Sequence, residues 1–209
     1  MSEQRKYIQK LDREQSQEIQ NRLSQVLSVS FPENSSMQVW LEKREGWVAV
    51  PTVAGTDKFK FVDFANAVFR IAAGSSNQEL LGVFLETDPN EPVAFFVPSN
   101  IDGLREFDIE IEPFSVNKVI FAGTPDWVVL MSESDYYVVA GLIPTVEKFL
   151  NLTVTQAFTE FENEIESWES PEELAQRLQP LKDVFLRIHR NTFEGYQNAP
   201  LGSRVNLKG

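Results

Sequence analysis

The chain of 209 residues contains no cysteine and one histidine, His189. Without thiols there is no disulfide framework, thiolate nucleophile, iron–sulfur cluster or cysteine-based zinc site. A serine–histidine pair could be built only around His189, which stands in Leu186-Arg-Ile-His-Arg190. A histidine with arginines at a helix end complements the helix dipole, so a structural role is expected of it. Long hydrophobic runs are missing too. The longest, Tyr136 to Pro144, falls far short of the ~20 residues a membrane-spanning helix needs. The first residues are polar and lack the apolar region of a signal peptide. With no cysteine and no export signal in view, the expected location is the cytoplasm.

Positive charge is scarce. Nineteen Lys and Arg face thirty-one Asp and Glu, for a net charge of −12 and a pI near 4.6. A field of that sign repels phosphate backbones and anionic lipid surfaces, so neither nucleic acid nor a membrane is expected as partner. A basic protein partner fits it, and so does solubility alone.

Motifs that announce chemistry are absent as well. There is no GxGxxG, Walker-type phosphate loop, GxSxG or HExxH. Ser115-Val-Asn-Lys118 has the SxxK spacing of penicillin-binding enzymes, but the SDN and KTG elements are missing and the tetrad precedes a strand-like run. It is read as chance. No catalytic residue, metal ligand or cofactor is assigned.

What is present is a folding sequence. Apolar residues make up 42% and charged residues 24%, with sixteen phenylalanines and four tryptophans to fill one sizeable core. Residues 5–28 read as a helix through Ile8, Leu11, Ile19, Leu23, Val26 and Leu27, ended by Phe31-Pro-Glu-Asn34. Period-two alternation marks Met37–Glu42, Trp47–Val50 and Lys58–Phe61 as strands. Phe61, Phe64, Ala65, Val68, Phe69 and Ala72 change to helical spacing. Leu81–Leu85 and Val93–Val97 flank Asp88-Pro-Asn-Glu91 and read as a hairpin.

Phe107–Glu112, Lys118–Ala122 and Trp127–Met131 read as further strands, and Trp127–Met131 pairs with Tyr136–Ala140 across Ser132–Asp135. Because Trp127–Met131 is apolar on both faces, it should be a central strand covered on both sides. Beyond Pro144 the pattern turns helical. Val154, Phe158, Phe161, Ile165 and Trp168 form a stripe, and Ser170-Pro-Glu-Glu173 opens a further helix, kinked or split at Pro180. The expected fold is a single α+β domain over 1–209 with a mostly antiparallel sheet. It has an N-terminal helix (1–30), a sheet-rich core (31–143) with one short internal helix, C-terminal helices (144–190) and a tail (191–209).

The most unusual surface runs from Glu160 to Glu173, with seven glutamates and no basic residue. Glu162, Glu166, Glu169 and Glu173 follow at spacings of 4, 3 and 4, beside the apolar stripe. Like charges so placed cost a helix roughly 0.2–0.5 kcal/mol each, offset in part where Glu172 and Glu173 open the next helix; the face reads either as a docking surface for a basic partner or as a solvated one. Trp40 joins them as a candidate contact, because its strand neighbours put it with Gln38 and Glu42 on the polar side. The other large aromatics, Trp47, Trp127, Tyr136 and Tyr137, are expected in the core.

Asp108, Glu110 and Glu112 alternate with Phe107, Ile109 and Ile111. On a strand they would stand roughly 6.6 Å apart along one face, too parallel to converge on a divalent ion, and are read as water-facing. Asp126 and Asp135, beside the central hairpin, would matter to an enzyme only if they faced inward.

Three functions are weighed. The first is a non-enzymatic protein-binding module, such as an adaptor, dedicated chaperone or immunity-type inhibitor, using the acidic helical face. The order of elements in the first hundred residues broadly resembles secretion-chaperone-type domains, and immunity proteins share the acidic character. The second is a structural component that self-associates into a homo-oligomer through the C-terminal helices. The third is a carboxylate-based enzyme or small-ligand binder.

Overall fold

A computed structural model describes residues 7–30, 38–42, 44, 46–53, 60–74, 79–85, 91–109, 117–131 and 136–167. The chain opens with a short strand, β1 (Gln9–Lys10), followed by helix α1 (Arg13–Leu23). Asp12 caps the helix. Its carboxylate accepts the Gln15 N–H at 2.8 Å, and the Gln15 side chain accepts the Asp12 N–H at 3.2 Å. This reciprocal box corrects the helix expected over 5–28. Ile8 and Leu11 belong to an extended segment ahead of the cap, and Leu27 already begins strand β2 (Leu27–Ser30), paired with β3 (Gln38–Leu41).

Gly46, at φ 74°, turns the chain into β4 (Trp47–Val53). Helix α2 (Phe61–Ala72) buries Phe64, Ala65, Val68 and Ala72 of the marked spacing, with Ala67 and Ile71 beside them, while Phe61 and Phe69 are half-buried. Phe61, read as the end of a strand, is the first residue of this helix, and residues 58–59 lie outside the described set. The Asp63 carboxylate accepts the Lys60 N–H at 3.3 Å, placing an anion in the positive first turn.

Strands β5 (Leu80–Phe84) and β6 (Ala94–Val97) pair antiparallel, Leu81 opposite Phe96, as the hairpin reading requires. Next comes α3 (Ile101–Ile109), which overturns the strand expected over 107–112 at residues 107–109; residues 110–112 lie outside the described set. Asn100 starts it, its side chain accepting the Gly103 N–H at 2.8 Å while its carbonyl accepts the Leu104 N–H at 3.1 Å. Leu104 and Phe107, three apart, are both fully buried. Phe107 thus continues the helical face of Leu104 rather than the alternation of a strand. The core holds a second internal helix besides α2.

Strands β7 (Lys118–Ala122), β8 (Trp127–Met131) and β9 (Tyr136–Leu142) follow, then α4 (Ile143–Leu150), with Pro144 in its first turn, and α5 (Val154–Ser167). Asn151 closes α4 in the left-handed region, φ 56°, which asparagine tolerates better than most residues. Thr153 and Gln156 then repeat the capping-box exchange at the start of α5.

Among the described residues the main sheet has seven antiparallel strands in the order β1-β6-β5-β7-β8-β9-β4. Directly opposite residues share a face, so the register sorts every side chain. Gly82, Phe84, Phe95, Ile120, Val129, Tyr137 and Val139 line one face. Helices α2, α3 and α4 cover it. Phe64 of α2 stacks on Tyr137 with ring centroids 4.2 Å apart, Phe149 of α4 meets Phe64 edge-on, and Phe107 of α3 packs on Phe84 and Phe95.

Val83, Ala94, Val119, Phe121, Val128 and Leu130 have the opposite parity and are equally buried. The sheet is therefore a middle layer, with β8 interior as its two-faced apolar pattern demands. Helix α1 packs on β5 and β6, and α5 on β4 and α4. Pro51 lies in β4, an edge strand, where a missing N–H is tolerated.

Candidate functional site

Among the described residues two charged side chains are buried, Glu106 and Lys118, and Lys118 lies where the end of α3 meets the start of β7. Lys118 leads a strand that is otherwise apolar, and the pairing puts it opposite Phe84 and Met131, on the face beneath α3. Its ammonium donates to the carbonyl of Phe107 at 3.4 Å and to that of Asp108. Those belong to the last turn of α3, where carbonyls lack helical partners and the dipole is negative. Lys118 is thus a C-terminal cap supplied from the sheet.

Burial lowers the Lys118 pKa below the usual lysine range, and the Asp108 carboxylate opposes that shift. Burial likewise raises the Asp108 carboxyl above its ordinary value, partly countered by the ammonium. Desolvation outweighs mutual attraction for both groups.

Asn117 and Glu106 are buried as well. Asn117 precedes Lys118 and accepts the Leu85 N–H on its carbonyl at 3.1 Å. Glu106, on α3, is 2% exposed, and its Oε2 accepts the backbone N–H groups of Tyr7 at 2.6 Å and Ile8 at 2.7 Å. A buried amine of lowered pKa is the usual ingredient of Schiff-base or proton-transfer chemistry. Here its N–H groups are directed at carbonyls of the helix end, an arrangement that fastens α3 to β7.

Sequence reasoning passed over Glu106 and met Lys118, as a candidate site residue, only at the end of a chance SxxK spacing. The available signals were Asn100, three residues ahead of Gly103, and a lysine heading an apolar five-residue strand.

The expected site residues are distributed differently. Asp108 is half-buried on α3 rather than water-facing on a strand, while Glu110 and Glu112 lie outside the described residues. Among the described residues no group of three or more His, Asp or Glu could hold a metal ion. Asp126 is exposed, its N–H bonded to the Thr124 carbonyl at 2.7 Å; Asp135, Ser115 and His189 lie outside the described residues. Trp47, Trp127 and Tyr137 are buried, with the Arg44 guanidinium 4.7 Å from the centre of the Trp47 ring.

Trp40 sits in β3 opposite Ser28, and Glu162 and Glu166 sit within α5. The side chains of these three, together with Glu169 and Glu173, lie outside the described residues. Of the apolar stripe, Val154, Phe158 and Phe161 are buried within this chain, with Ala157 beside them. Those three residues are therefore closed within the monomer and offer no surface for self-association. No helix among the described residues is long and apolar enough to cross a membrane.

No family model, no curated protein and no solved structure matches the chain.

Proposed function

We propose that this protein is a non-enzymatic protein-binding module whose acidic helical face, centred on α5, docks a basic partner protein. The observation that carries this reading is how α5 is seated. Val154, Ala157, Phe158 and Phe161 are buried on one side, while Thr155, Gln156, Thr159, Glu160 and Asn163 are exposed on the other. A helix anchored by its apolar side presents the rest of its circumference without needing to move, and rigid presentation lowers the entropy cost of binding. No basic residue interrupts the sequence from Glu160 to Glu173. Together with the net charge of −12 this gives a field that speeds and orients encounter with a cationic surface.

The test is affinity capture of the tagged chain from its native lysate at low and high salt, with a Glu162→Gln, Glu166→Gln, Glu169→Gln variant alongside. The captured protein is then purified and titrated against both. A basic partner whose affinity falls at least tenfold in the variant, and again in salt, supports the reading. A partner bound equally by both, or insensitive to salt, rejects it.

A further inference from the structure

We propose that the channel between Glu106 and the outer edge of β6 is a binding site for an extended peptide strand of a partner protein, occupied in cis by residues 7–11 of this chain. The segment is held by backbone hydrogen bonds together with the packing of Ile8 and Leu11 on the core. Glu106 Oε2 accepts two consecutive amides, from Tyr7 and Ile8, and the Leu11 N–H bonds the Ala94 carbonyl at 3.0 Å. Gln9 and Lys10 pair with Phe96 and Phe95. Of the side chains, Ile8 is 5% exposed whereas Tyr7 is 39% exposed and Gln9 and Lys10 face water.

A grip of this kind reads an extended backbone and its aliphatic side chains. It is the recognition mode of strand addition to a sheet edge, with a carboxylate aimed at the amides. A segment without proline at the amides that stand where those of Tyr7, Ile8 and Leu11 do, with aliphatic residues in place of Ile8 and Leu11, satisfies it.

The segment is also built to leave without unravelling its neighbour. Helix α1 is capped from within by Asp12 and Gln15, so that exchange survives when residues 7–11 depart, and what the first turn loses is the long 3.5 Å bond from the Ser16 hydroxyl to the Leu11 carbonyl. Its paired strand is only two residues long, and what departure exposes is the edge of β6. The tethered segment competes with any incoming strand at high effective concentration, so the site is masked until a better strand arrives. This site involves no residue of the acidic helix and stands or falls separately from it.

A fluorescent peptide of residues 5–12 is titrated into the full-length protein, into Ile8→Ala, and into Ile8→Ala with Glu106→Gln. Weakening the tethered segment is expected to tighten peptide binding at least tenfold over wild type, and the added Glu106→Gln to remove at least tenfold of it. Peptide that binds none of the three, or binds the double variant as tightly as Ile8→Ala, overturns the proposal. Hydrogen exchange on the unaltered protein tests it without any substitution. The Tyr7 and Ile8 amides are expected to exchange at least a hundredfold faster than those of β8. If they exchange only as slowly as β8, the segment leaves solely by global unfolding, and the proposal fails.

Discussion

The ring of Phe107 lies directly on Gly82: a Cβ built on that glycine would come within 2.3 Å of Phe107 Cε2. Strand β5 passes beneath α3 where it carries no side chain, and the aromatic fills the space. Gly82→Ala therefore overpacks a closed contact and is expected to cost about 1–3 kcal/mol. Phe107→Ala is expected to cost about 3–5 kcal/mol through the cavity it leaves. Urea unfolding of both and of the double variant provides the check. The combined loss should be clearly smaller than the sum, because without the ring the new methyl no longer meets its three nearest atoms, all of Phe107.

The pair Asp108–Lys118 makes stability depend on pH in a direction opposite to that of an ordinary ion pair. Asp108 titrates above its usual 3.8, so between that value and its raised one the folded state holds more protons than the unfolded. Its contribution to stability therefore falls as pH rises through this window. The cost of the carboxylate is absent below 3.8 and complete above the raised pKa. Asp108→Asn does not titrate, so its stability relative to wild type should climb across the window and then level off.

At the alkaline end the sign reverses. Lys118 titrates below its usual 10.5, and the cost of the ammonium disappears as pH rises toward that value. Any advantage of Lys118→Met over wild type should shrink there. Denaturant midpoints of the three proteins from pH 3 to 10 measure both trends, and pH-independent differences would contradict them.

Helix α5 is predicted to separate stability from binding along its circumference. Phe158, 2% exposed against the body, is expected to cost about 3–5 kcal/mol on truncation to alanine. Glu160→Gln, on the exposed side, is expected to move stability by no more than about 0.5 kcal/mol. Thermal unfolding of both variants checks the contrast. A large loss for Glu160→Gln would mean that the acidic side is tied into the fold.

The box at the start of α1 predicts that Asp12→Ala destabilises the protein by about 1 kcal/mol, from the loss of a side-chain acceptor for the Gln15 amide. Asp12→Asn, which keeps that acceptor, should lose markedly less in the same chemical denaturation experiment.

How much of this was legible depended on whether a pattern had one physical solution. Trp127–Met131 is apolar at every position, so neither face could meet water, and it is an interior strand of the sheet. Val154, Phe158 and Phe161 allow only a helix with one buried side. Phe107–Glu112 satisfied two periods at once. Phe107, Ile109 and Ile111 alternate, while Leu104 and Phe107 are a helical pair, and what decides between them lies outside both local patterns: Gly82 in β5 receives the Phe107 ring. Near the N-terminus the apolar residues Ile8 and Leu11 continued the spacing of α1, and only Asp12 with Gln15 marked the true start.

Composition by itself determined the chemistry this chain lacks, the sign of its field, the strands that had to be buried and the apolar side of α5. Tertiary structure alone decided that Glu106 and Lys118 are inside, that Asp108 sits at a helix end, and that residues 7–11 complete the sheet. The reason lies in sequence distance. Glu106 reaches a backbone amide 99 residues away, and such a contact leaves no period, cap or turn in the chain from which it could be read.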